Sequence, residues 1–323
     1  MHFNDPTLTV RAPTRDDASV LVELINAADM HDYGEIDLTV EDLLDDWARV
    51  DLQRNAWLVI EPSGRIAGYG EVQAHAVVQL RIFLTVHPDR RGEGIGDTLL
   101  SQIEQRAIEL VPSAPDGARV TLEGFAPGGR EIERNLARKH DFTHTRTFWR
   151  MEIAMREAPP EPVLPDGITI RNYDPERDVR AVFEATDDAF ADHWNHVPMS
   201  YDEWTARTER PDFDPTLWFV AVDGDEIAGT SLCRVQADMG WIGTLGVRRP
   251  WRRRGLGRAL LLHSLGEWWR RGQPRVGLGV DAASLTGATR LYEAAGMHVN
   301  IRYDQYEKIL RDGLDMATRE IRD

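Results

Sequence analysis

The chain has 323 residues, 42% of them hydrophobic and 28% charged, with a formal net charge of −16. That length accommodates two domains with their own cores, no run approaches the roughly 18 apolar residues that cross a bilayer, and the excess of carboxylates opposes general binding to nucleic acid or to an anionic membrane. One cysteine, Cys233, excludes an internal disulfide, and the opening MHFNDPTLTV lacks the cationic-then-apolar pattern of an export signal, so a cytoplasmic protein is expected.

In chain order, the first half reads as strand, helices, strands, helix, strand, helix, strand. Its landmarks are LTVRAPTRDD at 8–17, Trp57, the triplet Ile66-Ala67-Gly68 and the run VHPDRRGEGIG at 86–96. REAPPEPVLPDG at 156–167 follows; its four prolines resist helix and central strand alike, which predicts a linker. The landmarks then return as ITIRNYDPERD at 168–178, Trp218, Ile227-Ala228-Gly229 and VRRPWRRRGLG at 247–257. The first is offset by 160 residues and the others by 161. Two copies of a ~150-residue unit are too few and too large for a solenoid. The spacing therefore predicts tandem domains, 1–155 and 168–323.

The second copy is the easier to read. It predicts a strand at 169–171, a helix at 179–191 and a hairpin in LWFVAVDGDEIAGTSLCRV turning at Asp223-Gly224. A strand in GWIGTLGV, a helix at 257–271, a strand at 274–281 and a helix at 287–295 complete it. The fold class is α/β, a mixed sheet with helices on both faces.

The arginine-glycine run leaves a strand at Val247 and enters a helix through Arg252, Arg253, Arg254, Gly255, Leu256 and Gly257, with Arg258 in the first turn. The first N–H groups of a helix lack intrahelical partners and carry the positive end of its dipole. Glycine permits close approach and positive φ, so the turn reads as a cradle for phosphate groups. Arginines add charge-assisted donors, each contributing on the order of 1.5–3 kcal/mol when well placed. A solvated turn would explain one such run; the same eight-residue spacing from Val to Gly in both copies, each followed by Leu-Leu, points to a ligand.

R-x-x-G-x-G at 91–96 and 252–257 resembles the acyl-coenzyme A pyrophosphate loop of the GNAT acetyltransferase superfamily. DAASLTGATRLYEAAGM at 281–297 resembles that family's second signature, D-x-x-N-P-T-G-A-x-x-L-Y-x-x-x-G-F, with Ser284 for Asn and Met297 for Phe. The tandem arrangement is similar to that of the mycothiol synthases, without a motif specific to their substrate. The resemblance implies two tandem GNAT domains, acetyl-CoA as co-substrate, no metal, and an N-acetyltransferase in which a primary amine of a small molecule attacks the thioester directly through a tetrahedral intermediate. It implies that the backbone of Leu245, Gly246 and Val247 lies along the pantetheine arm, one N–H serving as oxyanion donor. It extends cofactor contacts to Arg252–Arg258 and Ser284, and in the first copy to Val86, Arg91, Gly92, Gly94, Ile95 and Gly96.

Acetyl transfer needs a neutral amine, donors for the thioester oxygen, close positioning and a proton for the departing thiolate. Tyr292 borders the apolar stripe of the helix in LYEAAG, where taken alone it reads as an edge tyrosine that packs; the resemblance implies that it is the acid. The first copy has Ala137 at the matching place and Asp141 where Gly296 stands. It also has Glu93 and Asp97 in place of Arg254 and Arg258, and like charges there weaken phosphate binding. We therefore read the first domain as degenerate and the second as catalytic. The general base stays open between Asp192, His193 and His196 in AFADHWNHVPMSYDEW at 189–204, Asp238, and water draining the proton to bulk, with His193 preferred for its pKa near ~6.5. GWIGTLGV has no acid, and Asp238 precedes it in a turn.

Cys233 and Trp268-Trp269 read as packing residues, and no Cys/His spacing suggests zinc. The competing readings are a catalytically silent acyl-CoA-binding or regulatory tandem module, and a nucleic-acid contact through RRPWRRR, which the net charge disfavours. Partners are expected to be a small amine acceptor, with the protein a monomer or homodimer.

Overall fold

The computed structural model describes residues 5, 7–36, 38–76, 78–209, 213–284 and 287–316. Residues 1–4 of the opening segment, Asp37, and Leu285 and Thr286 of the second signature lie outside the described residues. The chain forms two compact units, one comprising Met1–Thr147 with Ile301–Met316, the other Phe148–Asn300.

In the first unit, β1 (Thr9–Arg11) leads to helices α1 (Ala18–Tyr33), α2 (Val40–Trp47) and α3 (Leu52–Asn55). Strands β2 (Ala56–Ile60), β3 (Ile66–Ala76) and β4 (Gln79–Val86) follow, then α4 (Ile95–Leu110), β5 (Val120–Pro127), α5 (Glu131–Lys139) and the start of β6 (Thr143–Ala154). α1 buries Leu21, Leu24, Ile25 and Ala28, one stripe at helical spacing, and Gly34 at φ +78° ends it. α2 starts on a reciprocal cap: Thr39 Oγ1 accepts from the Asp42 N–H, and the Asp42 carboxylate accepts from the Thr39 N–H. The sheet order is β1-β2-β3-β4-β5-β12, in which the last strand among the described residues, β12 (His298–Arg311), pairs Tyr303–Arg311 antiparallel with β5. Helices α1 and α2 cover one face through Leu21, Leu43, Trp47 and Tyr69. α4 covers the other through Ile95 and Leu99 against Val59 and Ala67.

The second unit repeats the plan. After a stretch without helix or strand from 155 to 167 come β7 (Ile168–Asn172), α6 (Val179–Phe190) and α7 (Tyr201–Thr205). Then follow β8 (Trp218–Asp223), β9 (Glu226–Gln236), β10 (Met239–Val247), α8 (Leu256–Arg270), β11 (Arg275–Asp281) and α9 (Ala288–Ala294). The sheet order is β6-β11-β10-β9-β8-β7, with Phe148–Ala154 of β6 against β11. α8 packs Leu261, Leu265 and Trp268 onto Phe219, Ile242 and Leu278, and Trp269 lies against the same core. α6 and α7 cover the opposite face through Val182 and Trp204 with Trp218 and Leu232. Cys233 is buried in the α8-side core. Each fully buried leucine of these clusters contributes roughly 1.5–3 kcal/mol.

Both sheets part in the same place. β4 and β5 run parallel from Gln79–Thr121 to Ile82–Gly124 and pair no further. β10 and β11 pair only at Gly240–Val276 and Trp241–Gly277. Beyond those points the inner edges of 83–86 and 242–247 have no neighbouring strand on that side among the described residues. In the second unit the parting coincides with a bulge, because the register of β10 on β9 slips between Ile242 and Thr244 and leaves Gly243 as the extra residue.

Candidate active site

Leu245, Gly246 and Val247 pair with Ser231, Thr230 and Gly229 of β9 on one side only. Antiparallel strands direct alternate N–H and C=O groups away from each partner, so this segment offers backbone donors and acceptors to the parted side. Gly246 is required by packing. A Cβ there would lie 2.8 Å from Ala189 Cβ and 3.0 Å from the Phe190 ring of α6.

Past Val247 the chain is pinned to the sheet by the Arg248 N–H, which donates to the Ala228 carbonyl at 3.0 Å. A single turn at Arg249–Trp251 buries the Trp251 indole, whose N–H donates to Asp223 Oδ2 at 2.8 Å. Arg253 then adopts φ +62° and Gly255 φ +88°, after which α8 begins at Leu256. The N–H groups of Leu256, Gly257 and Arg258 occupy the first turn, where no intrahelical acceptor exists. Gly257 sits under Leu291 of α9, 3.5 Å from the position a Cβ would take.

The arginines of this loop divide into two kinds. Arg252 is committed internally: Nε donates to the Val247 carbonyl at 3.0 Å, Nη1 to Asp192 Oδ2 at 2.6 Å and Nη2 to the Ala189 carbonyl at 3.1 Å. Arg253 and Arg258 are exposed and form no hydrogen bond or ion pair among the described residues. Arg254 is exposed too and touches only the Asp166 carbonyl, at 3.4 Å. Thus three open cations surround the positive end of α8 in a chain of net charge −16.

The first copy builds the same turn with different charges. The His87 N–H donates to the Ala67 carbonyl at 2.9 Å, Arg91 Nε to the Val86 carbonyl at 3.2 Å, and Arg91 Nη1 and Nη2 to Asp32 at 2.7 and 2.8 Å. Gly92 and Gly94 have φ of +85° and +88°, α4 starts at Ile95, and Gly96 lies against Leu136. Glu93 binds Arg90 at 2.7 Å and Asp97 binds Lys139 at 2.6 Å. The positive end of α4 is therefore flanked by carboxylates already held by other cations.

Tyr292 is the one residue of α9 that is buried, at 6% exposure. Its backbone carbonyl accepts from the N–H groups of Ala295 and Met297, both at 3.0 Å, closing the helix before Gly296 at φ +91°. Its hydroxyl forms no hydrogen bond among the described residues, and burial alone pushes its pKa up to about 12. The phenol therefore stays protonated across the physiological range. In the first unit Ala137 is buried at the equivalent place of α5, and Asp141 takes the capping conformation at φ +60°.

Ser284 closes a short turn after β11, its N–H donating to the Asp281 carbonyl at 3.0 Å, and it is half-buried. His193 follows α6 directly. Its ring lies 4.2 Å from the Phe190 ring, centroid to centroid, and neither ring nitrogen forms a hydrogen bond among the described residues. Burial, with the nearby His196 and Arg252 charges, lowers its pKa below 6.5. It is a neutral imidazole at pH 7, the form that accepts a proton. The other acids and bases are engaged. His196 Nε2 meets Asp187 Oδ1 at 3.1 Å, and Asp192, bound by Arg249 and Arg252, is held down to about 2, which makes it a weak proton acceptor. Asp238 is exposed just before β10, at the opposite end of that strand from the loop.

Sequence reasoning did not find the Asp192 and Asp32 anchors, although the two stand 160 residues apart, the offset of the first pair of landmarks. No group of three or more described His, Cys, Asp or Glu residues is arranged to hold a metal ion, and no helix among the described residues is long and apolar enough to cross a membrane.

The profile of the acetyltransferase (GNAT) family matches residues 21–119 and 179–297. A mycothiol acetyltransferase of Thermomonospora curvata is 32% identical over 281 residues, 86% of this chain and 89% of that protein. One from Thermobispora bispora is 33% identical over 220 residues, 66% and 70% of the two chains. A crystal structure of a GCN5-related N-acetyltransferase from Sphaerobacter thermophilus superposes with a TM-score of 0.87 at 39% identity, covering 96% of this chain and 98% of that one. A tandem GNAT protein from the clavulanic acid biosynthesis pathway shares the fold, with a TM-score of 0.72 at 16% identity over 95% and 100% of the chains.

Proposed function

This chain belongs to the acetyltransferase (GNAT) family and is an acetyl-CoA-dependent N-acetyltransferase, and we propose that its second unit transfers the acetyl group to a primary amine of a small molecule. The observation that carries this reading is the continuity of three features in one stretch of chain: the parted edge of β10, the turn through Arg253 and Gly255, and the open N-terminus of α8.

Acetyl-CoA, when bound, supplies an activated acetyl thioester. The residues that fit it are those whose polar groups are open. Arg253, Arg254 and Arg258, with the first N–H groups of α8, suit a diphosphate. The free edge of Leu245–Val247 suits the amides of a pantetheine arm, and a backbone N–H of that edge suits the thioester oxygen. Arg252 and Arg91 act behind this surface by anchoring the loops. Tyr292 Oη holds the proton that a departing thiolate needs, at an uphill cost that a basic leaving group in a dry pocket offsets. His193 accepts the proton lost by the amine. The first unit lacks the phenol and presents carboxylates at its loop, so we assign catalysis to the second.

Release of free thiol from acetyl-CoA in the presence of an amine panel tests the reading. Mycothiol-related amines belong in that panel because the relatives carry that name. Acetyl-CoA should raise the melting temperature, and Arg253→Glu with Arg258→Glu should abolish that protection. Protection without thiol release from any amine would instead establish a silent binding module.

A further inference from the structure

Trp241 is the last residue of β10 to pair with β11 before the strands part. Its indole lies flat across two glycines of β11. A Cβ at Gly277 would stand 2.9 Å from Cζ3 and 3.1 Å from Cε3, and one at Gly279 would stand 3.9 Å from Cζ2. Gly277 and Gly279 share one face of their strand because side chains alternate; at Gly277 only hydrogen leaves room for the ring, while at Gly279 a methyl would just touch it. The bulged Gly243 borders the indole on its other edge, where a Cβ would stand 3.7 Å from Cδ1.

The indole is half-buried, whereas Gly279 and Gly243 beside it are exposed. Its N–H forms no hydrogen bond among the described residues. Gly240 backs onto Trp268 of α8, so Trp241 occupies the opposite face of the sheet, the one that carries α6 and, after it, His193. Arg150 of β6 brings its guanidinium to 6.0 Å from the ring centroid and pairs with Glu152 at 2.6 Å. At the equivalent pairing the first unit has Arg81 beside Glu123, so this shelf exists in the second unit alone among the described residues.

From this geometry we propose that Trp241 is the acceptor platform of the second unit, a specificity determinant that selects amines carried on a ring. This rests on the acetyl-transfer reading. An open aromatic face with bare backbone on both sides offers dispersion and stacking to a flat or chair-shaped ring, while a short amine leaves it hydrated. The open indole N–H adds one donor for an acceptor oxygen. The shelf begins where the parted edge begins, so a ring seated there holds its amine next to the thioester site.

The test compares phenethylamine with ethanolamine as acceptors, by thiol release at saturating acetyl-CoA. The wild type should favour phenethylamine in kcat/KM by on the order of tenfold or more. Trp241→Ala should bring that ratio to within about twofold, acting on acceptor KM while the KM for acetyl-CoA is unchanged. Trp241→Phe should retain most of the preference, which separates loss of the platform from loss of the fold. Gly277→Ala, which displaces the indole, should behave like Trp241→Ala, and Gly279→Ala, where a methyl fits, should not. Equal use of the two amines by the wild type, or a preference that survives Trp241→Ala, overturns the platform. Absence of thiol release from every amine counts against acetyl transfer itself.

Discussion

Arg252 and Asp192, sixty residues apart in sequence, are joined Nη1 to Oδ2 at 2.6 Å, and Arg91 and Asp32 form the same joint in the first unit at 2.7 and 2.8 Å. Each arginine also holds the carbonyl at the end of the preceding strand, so the pair fixes where the strand stops and the loop begins. Asp192 is 4% exposed and binds Arg249 as well. Asp192→Asn should therefore destabilise the protein by about 1–3 kcal/mol, as expected for a partly buried charge-assisted pair that loses one partner. The pH dependence follows from a folded pKa of about 2 against the ordinary 3.8. A depressed carboxyl contributes its full stabilisation above 3.8 and loses it as pH falls towards 2. Denaturant melts should show the gap between wild type and variant closing below pH 4; a gap that is constant with pH would place the effect elsewhere.

Arg253 stands at φ +62° where the first copy has Gly92 at φ +85°. A side chain in that conformation costs about 1 kcal/mol relative to glycine, and backbone strain of this kind is retained where it serves a function. Arg253→Gly should raise stability by roughly 0.5–1 kcal/mol and weaken coenzyme A binding by about tenfold or more through the lost cation. The two measurements, a melt without ligand and a titration with coenzyme A, should move in opposite directions. A variant that binds coenzyme A as tightly as wild type would remove Arg253 from the phosphate site.

The repeat, the strand-loop-helix turn and the mixed sheet were legible because they depend on local pattern: glycines for positive φ, apolar periodicity, and a fixed offset between copies. The anchor joining Arg252 to Asp192 was hidden because an arginine in a glycine-rich turn has the same sequence signature whether it faces a ligand or its own chain. The return of Tyr303–Arg311 to β5 pairs residues nearly two hundred positions apart, and no local preference encodes that partner. Trp241 was passed over in GWIGTLGV, although Gly277 and Gly279, two apart on one strand face, mark the place where a large ring lies on bare backbone.

Tyr292→Phe separates chemistry from packing. The hydroxyl makes no hydrogen bond among the described residues while the ring is buried in the α8-side core. Removing the oxygen should change stability by less than about 0.5 kcal/mol, in the range of substitutions that break no contact. If the phenol protonates the thiolate, kcat should fall by on the order of 10²-fold or more with the KM for acetyl-CoA unchanged. With its pKa near 12, Tyr292 should contribute no alkaline limb to the rate profile below about pH 10. Undiminished kcat in the variant would exclude the acid role.

His193 predicts the acid side of that profile. Burial lowers its folded pKa below 6.5, so at pH 7 it is neutral and able to accept a proton, and kcat/KM should fall along an acid limb that lies below 6.5. His193→Gln should lower kcat by on the order of 10²-fold and remove the limb. Stability should follow the same group. Between its folded pKa and 6.5 the unfolded chain binds more protons at this position than the folded one, so wild-type stability declines as pH drops below 6.5. The variant should lack that part of the decline. An acid limb of unchanged midpoint in His193→Gln would assign the proton acceptor to another group or to solvent, and leave His193 as a ring packed on Phe190.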